Sequence, residues 1–161
     1  MTKAPNSPAS LEKAWGIANL VWLGSLAFAG LVWIGLPLLG AREPRQDEYL
    51  RLVTVLLYAV TPADLAIGWW FKKRALDAAQ YGTVRSAEEA IGPLSGQSLI
   101  AATMPNTATV FAIVLYILSG NLWAFSGLCA LGVVGLLVLR PRLEEWQDTL
   151  RGIRVHANRS A

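Results

Sequence analysis

The sequence predicts an all-α integral membrane protein, with four transmembrane helices followed by a C-terminal amphipathic helix. The chain of 161 residues is 54% hydrophobic, and its mean hydropathy of +0.42 exceeds that of an ordinary soluble domain. Charged residues make up only 16% of the chain, and most of them fall between long apolar runs. Each run is long enough for a helix to cross a bilayer core of about 30 Å.

The four spans are expected at about 14–39, 51–71, 99–118 and 122–139. A cleaved signal peptide is the alternative for the first run, but its apolar core is longer than the roughly 7–15 residues of such a peptide. Only the sequence "SGN", Ser119–Asn121, separates the third run from the fourth. A connection this short predicts that these two helices form an antiparallel hairpin.

The distribution of basic residues predicts the orientation of the four spans. Of the 14 lysines and arginines, three lie between the first span and the start of the second: Arg42, Arg45 and Arg51. The others lie in the flexible N-terminal tail 1–13, the connection 72–97 and the C-terminal tail 140–161, which share one side of the membrane if there are four spans. Because cytoplasmic segments carry the excess of positive charge, both termini of this single domain, 1–161, are expected in the cytoplasm of a bacterial inner (plasma) membrane.

The C-terminal tail contains the pattern of an amphipathic helix. Its apolar residues Leu143, Trp146, Leu150 and Ile153 recur at three- and four-residue steps, which places them on one helical face. Arginines flank that face, so one interpretation is a helix lying in the inner interface and attracted by anionic lipid. The other is a cytoplasmic continuation of the fourth span, because Pro141 favours a bend without excluding it.

Asp64 is the residue of the apolar runs that most needs an explanation. It precedes Lys72 by eight residues, or about 12 Å of helix, so it is expected in the inner half of the hydrocarbon. An aspartate at the centre of a span costs about 2.5–3.5 kcal/mol, somewhat less off centre. Apart from Arg51 at the outer end of the second span, no lysine or arginine lies in a span to pair with it. Asn106 of the third span is expected at similar depth. The sequence therefore predicts an intramembrane polar layer of Thr61, Asp64, Thr103, Asn106 and Thr107.

This polar layer has a structural and a functional interpretation. A protonated or solvated Asp64 bonded to Asn106 would hold two helices in register, because polar residues join helices in membranes. Alternatively, an acid at this depth could carry a proton or bind a cation. The first and fourth spans supply no second acid, and a conduction path needs a series of such groups. The favoured role is therefore a structural or accessory subunit, with translocation as the alternative.

The stretch "PNTATVFAIVLYILSGN", with a last span ending in "RPRLEEW", resembles the C-terminal half of an uncharacterised family of four-span bacterial membrane proteins. That family in turn resembles the acid-bearing hairpin helix of rotary ATP synthase c-subunits. The likeness covers about a quarter of the chain, and what it implies is a fold. Asn106 stands where the c-subunit pattern has an intramembrane glutamate. Because an asparagine cannot bind and release a proton, the resemblance does not imply rotor-like translocation at that position.

The remaining residues argue against an enzyme and against a cofactor or metal site. One cysteine, Cys129, and one histidine, His156, exclude an intramolecular disulfide and a Cys/His metal cluster. The chain lacks a GK[ST] phosphate-binding motif. Its bases flank apolar runs instead of forming a patch for nucleic acid. Since four short-linked helices enclose little interior, the expected partners are the lipid bilayer and either further copies of the chain or a larger membrane complex.

Overall fold

The computed structural model of the chain describes residues 8–40, 44, 47–81 and 88–160, and every regular element in these ranges is a helix. The elements are named here in chain order, with η1 for a single 3-10 turn: α1 Pro8–Leu38, α2 Glu48–Leu76, η1 Ala78–Tyr81, α3 Ile91–Thr103, α4 Asn106–Ser119, α5 Leu122–Val138 and α6 Leu143–Ser160.

Three stretches of the described chain are helical, long and apolar enough to cross a membrane: Ser10–Leu38, Glu48–Leu76 and Ile91–Ser119. The third combines α3 and α4, which are interrupted at Met104 and Pro105. The pair of α5 and α6, Leu122–Val138 with Leu143–Val155, passes the same test together but is bent by 45°, which gives up to four. The expected all-helical fold is confirmed, with three or four helices that have the length and apolar character of spans.

The α3–α4 helix and α5 occupy the centre of the bundle, and α1 and α2 pack on them from different sides. The first two helices touch each other little, although they are consecutive in the chain. Three groups of buried apolar residues lie along the bundle: one around Trp146 and Leu94, one around Phe125 and Leu115, and one around Trp22 and Leu136. This arrangement leaves one side of both α1 and α2 uncovered.

The predicted tight turn between the last two apolar runs is present. Gly120 ends α4 with φ of 66°, a left-handed conformation that costs glycine little. Asn121 begins α5, and its side-chain oxygen accepts hydrogen bonds from the backbone N–H groups of Trp123 and Ala124. Because both helix ends are capped within three residues, α4 and α5 pack side by side as an antiparallel hairpin.

The C-terminal amphipathic helix, α6, is separate from α5. One interpretation expected its apolar face to lie against the membrane interface, but other helices of the chain cover that face. Trp146, Leu150 and Ile153 are buried with Ala75 and Leu94 in one cluster. That cluster joins α6 to α1, α2, η1 and α3. Protein therefore covers the face that was expected to lie against the bilayer surface, because α2 continues past its apolar run and gives α6 a surface to pack on.

Helices extend further than the apolar runs predicted. α1 begins at Pro8, so residues 8–13, expected in the flexible tail, are helical, while 1–7 lie outside the described residues. Much of the expected connection 72–97 is helical too, because α2 continues to Leu76 and α3 begins at Ile91. Hydrogen bonding along a helix continues into polar sequence where the flanking residues pack, as they do around Tyr81 and Leu94.

Candidate functional site

The three threonines of the predicted polar layer bond to their own helices. The Thr61 hydroxyl donates to the carbonyl oxygen of Leu57 at 2.8 Å, and that of Thr103 to Leu99 at 3.0 Å. The Thr107 hydroxyl donates to the carbonyl of Met104. Such bonds satisfy a hydroxyl within one turn of helix. Thr61 is buried and Thr103 is exposed, so the three hydroxyls do not form a common site.

Asn106 pairs with α1 instead of with Asp64. Its side-chain nitrogen donates to the hydroxyl oxygen of Ser25 at 2.8 Å, which ties the beginning of α4 to the middle of α1. Among the described residues, no hydrogen bond links Asn106 to Asp64. The predicted hydrogen-bonded pair between the second and third spans is therefore absent from the part of the chain that the structure describes.

Asp64 and Asn106 lie at the same level of the bundle but face different neighbours. Leu65, next to Asp64, faces Gly135 of α5, and Pro105 faces the same glycine. One turn further along α2, Gly68 faces Met104. Asp64 and Asn106 therefore share a level in the bundle, as helical rise predicted. They are separated because Asn106 turns toward α1, on which α3 packs extensively, while α2 packs on another side.

Asp64 lies at the edge of the packed face of α2. Thr61 and Gly68, on one side of it, are buried. Val60 and Ile67, on the other side, are 36% and 45% exposed. Within the described ranges the Asp64 carboxylate has no hydrogen bond or ion pair, and its oxygens are not buried. The structure therefore leaves an unpaired acid accessible at the surface of the bundle.

Unlike those of Asp64, four side-chain oxygens of the described residues are buried without a hydrogen-bond partner: those of Asn19, Gln97, Asn106 and Thr109. The first three belong to α1, α3 and α4, which pack together. Buried polar groups are normally paired with protein or water. Asn19 and Ser25 were visible in the sequence as polar residues of the first span, but only packing shows that α1 faces the third span there.

A second set of polar contacts, which sequence reasoning missed, surrounds the joint between α5 and α6. Lys72 donates to the carbonyl oxygen of Arg140 at 3.1 Å and forms an ion pair with Glu145 at 3.1 Å. The indole N–H of Trp22 donates to the carbonyl of Leu136 at 2.6 Å, and that of Trp15 to Pro141 at 3.3 Å.

Of these three donors only Trp22 bonds to α5 itself, at Leu136, whereas Lys72 and Trp15 bond to the joint that follows the helix. The last carbonyls of α5 have no partner within that helix, and Pro141, which lacks an N–H, supplies none. A lysine near a helix C-terminus also interacts favourably with its dipole. The sequence signal for this joint was Pro141 after an apolar run. The side chains that bond to the joint lie far away in the sequence, so the signal did not identify them.

Two hollows of the described structure lie beside these contacts and at the opposite end of the bundle. A cavity of about 10 Å³ borders Lys72, Ser98 and Glu145, which is space for about one water molecule. An open groove of about 430 Å³ borders Asp47, Arg51 and Asn121. The first belongs to the α5–α6 joint, and the second is open, with exposed polar residues at its edge.

The described side chains bring no three of His, Cys, Asp or Glu together in a way that could hold a metal ion. Cys129 is a free, buried thiol packed beside Leu128 and Phe125, and the His156 side chain lies outside the described part. Comparison with known protein families, curated proteins and solved structures finds no significant match for the chain.

Proposed function

We propose that the chain is a multi-pass protein of a bacterial-type inner membrane, with four spans and both termini in the cytoplasm, that acts as a non-enzymatic structural or accessory subunit. The observation that carries the proposal is the outer surface of the bundle. Large apolar side chains are exposed on four helices, where water would make them costly. They include Leu20, Leu31 and Ile34 on α1, Leu52 and Val55 on α2, Val114 and Ile117 on α4, and Val134 and Leu137 on α5.

One end of the bundle has the chemistry of a membrane–water interface. Lys73 lies over the ring of Trp69 at 5.4 Å, and Arg74 lies over Trp70 at 5.1 Å. Aromatic rings and bases are enriched at the boundary between hydrocarbon and headgroups, and bases are enriched on the cytoplasmic side. The side that carries Lys73 and Arg74 is therefore the proposed cytoplasmic side.

Reporter fusions test the number of spans and their orientation. Green fluorescent protein fused to a membrane protein fluoresces only if it stays in the cytoplasm, because it does not become fluorescent when it is exported by the general route, whereas alkaline phosphatase is active only outside the cytoplasm. We expect fluorescence from fusions at either terminus and phosphatase activity from fusions within 41–46. A phosphatase fusion after Gly120 should be active, because this point lies on the outer side of the membrane, before α5 brings the chain back to the cytoplasm. Phosphatase activity at the full-length C-terminus would refute the four-span arrangement.

Translocation of protons or cations through Asp64 is the second candidate function. The observation in its favour is the unpaired Asp64 carboxylate at the level of Asn106, whose side-chain oxygen also lacks a partner among the described residues. The threonine hydroxyls bond to their own helices, which leaves few groups to relay an ion. We therefore expect no proton or cation flux in proteoliposomes, for the wild type or for Asp64→Asn. A flux that disappears in this variant would replace the proposed role with transport.

A further inference from the structure

Of the three described helices that are each long and apolar enough to cross a membrane, α2, which carries Asp64, is the least buried within the chain. Only 6% of the most apolar window of α2 is buried within the chain, against 44% for the α3–α4 helix. A stripe beside Asp64 consists of Leu56, Val60 and Ile67, which are 58%, 36% and 45% exposed, and of the exposed Ala63. These residues recur at three- and four-residue steps and form one helical face; they are called the α2 stripe below.

The shape of the α2 stripe suits contact with another helix. Ala63 of the stripe and Ala59, which borders the stripe, are four residues apart and both exposed, and small residues at this spacing allow close helix approach. Leu56 and Ile67 would pack at either side of the contact. A helix seated on this stripe would lie beside the accessible carboxylate of Asp64.

The chemistry of the occupant follows from the charge of Asp64. In the proposed membrane an ionised aspartate without a partner is costly, and a cation at the same depth would remove most of that cost. The nearest basic residue along α2, Lys72, is about 12 Å away and is already bonded to Glu145 and to the Arg140 carbonyl. The chain therefore offers no base of its own at this depth.

The same reasoning disfavours a second copy of the chain as the occupant. No lysine or arginine lies within 14–39, 52–71, 99–118 or 122–139. A second copy would bring Asp64 against apolar side chains or against another Asp64, and either contact leaves the charge unpaired.

We propose that Asp64 and the α2 stripe form a docking site for a transmembrane helix of another protein, one that carries a lysine or arginine at the depth of Asp64. This inference rests on the proposed function and deepens it, since it gives the accessory subunit a partner of defined chemistry. A lysine or arginine inside a span identifies such a partner, because an unpaired base in the membrane is costly too and pairing with Asp64 would lower that cost.

A model helix tests the docking site. The full-length protein is reconstituted in phosphatidylcholine vesicles with a dansylated leucine–alanine peptide that spans the bilayer and carries one central lysine. Energy transfer from the tryptophans of the protein to dansyl reports association. A peptide with leucine in place of that lysine measures random encounters. We expect saturable transfer to the lysine peptide only.

Variants of the protein test whether association with the lysine peptide depends on Asp64. Asp64→Asn should weaken it roughly threefold to twentyfold, the range of polar contacts between membrane helices, while Asp64→Glu, which keeps the charge, should retain it. Glu48→Gln removes an acid at the end of the same helix and should change nothing. Equal association of the lysine and leucine peptides, or an undiminished association with Asp64→Asn, would overturn the proposal.

Two further measurements separate the alternatives. If copies of the protein tagged with donor and acceptor fluorophores associate in the wild type and separate in Asp64→Asn, a second copy occupies the site and the proposal is wrong. Lipids brominated on their acyl chains should quench the tryptophans whether or not the peptide binds. Absence of quenching would refute the membrane placement itself, whereas quenching without peptide association would refute the docking site alone.

Discussion

Tyr81 is a residue at which burial and hydrogen bonding act together. Its ring is 4% exposed, and its hydroxyl donates to the carbonyl oxygen of Ala75 at 2.8 Å. Burial, with a further contribution from the carboxylate of Asp77, raises the pKa of the Tyr81 hydroxyl above its ordinary value. The neutral, donating form is therefore the one that the folded protein stabilises.

The raised pKa of Tyr81 predicts a loss of stability in alkali. Because the folded-state pKa lies above that of the unfolded chain, about 10, the unfolded chain loses this proton first. The stability that Tyr81 provides is complete below about pH 10 and is lost as the pH rises through the folded-state value. At neutral pH, Tyr81→Phe should lower the free energy of unfolding by about 1 kcal/mol, and this difference should shrink in alkali.

Thermal unfolding in detergent, followed by circular dichroism from neutral pH to about pH 11, measures this difference. Tyr49→Phe is the control, because Tyr49 is 73% exposed at the start of α2. A difference between wild type and Tyr81→Phe that stayed constant across the whole range would show that the Tyr81 proton does not contribute.

At the scale of the elements, the bend between α5 and α6 depends on Lys72. Its ammonium joins the Arg140 carbonyl to the Glu145 carboxylate, and the lysine side chain is only 13% exposed. We expect Lys72→Met to lower the free energy of unfolding by about 1.5–3 kcal/mol, the range for hydrogen bonds to charged groups. Amide hydrogen exchange in α6 should speed up before that in α4.

Lys73→Met is the matched control for Lys72. Lys73 is exposed and lies over Trp69 at 5.4 Å, a contact that contributes about 0.5–1 kcal/mol at an exposed site. If both variants lost the same stability and α6 exchanged alike in both, the bend would not depend on the contacts of Lys72.

The contact between α4 and α5 depends on Gly132. A Cβ at this position would lie 3.2 Å from the Pro105 carbonyl oxygen and 3.2 Å from the Thr109 hydroxyl oxygen. Backbone cannot move aside as a flexible side chain can, so Gly132→Leu should destabilise the bundle by about 1–3 kcal/mol. Gly30→Leu on α1 is the control, because nothing lies within 4 Å of its Cβ.

Unfolding in mixed micelles with increasing dodecyl sulfate measures both glycine variants. The midpoint should fall for Gly132→Leu and stay near that of the wild type for Gly30→Leu. Equal midpoints for the two variants would contradict the close approach of α5 to Pro105.

How much of the structure could be predicted from the sequence differs from one element to another. Long apolar runs predicted the helices, and "SGN" predicted the turn before Asn121, because each signal is local. The ends of α1 and α2 were missed because helices continue into polar segments where these pack on α6. Helical rise placed Asp64 and Asn106 at one level, but their rotation depends on which neighbour each helix packs against. The partnership of Asn106 with Ser25 was therefore not predictable from depth.

At the scale of the whole molecule, the long-range side-chain hydrogen bonds and the long-range ion pair of the described residues all join one half of the chain to the other. α1 and α2 contribute Trp15, Trp22, Ser25, Tyr58 and Lys72. Their partners lie in the second half, at Pro141, Leu136, Asn106, Ala124, and Arg140 with Glu145, respectively. α1 and α2 touch each other little. α1 and α2 are thus held in place by their contacts with the second half of the chain and not by contacts with each other.

This division predicts that the chain can be cut between its halves and still assemble. Fragments 1–85 and 86–161, produced together in one membrane, should copurify in mild detergent, since helices inserted independently associate through packing and hydrogen bonds. Fragment 1–85 alone should give α1 and α2 without a stable mutual contact. Trp22→Phe, which removes the bond to Leu136, should lower the yield of the complex, while Trp33→Phe, at a residue 36% exposed, should not. Failure of the two fragments to copurify would mean that the covalent connection, and not the contacts between halves, holds α1 and α2 in place.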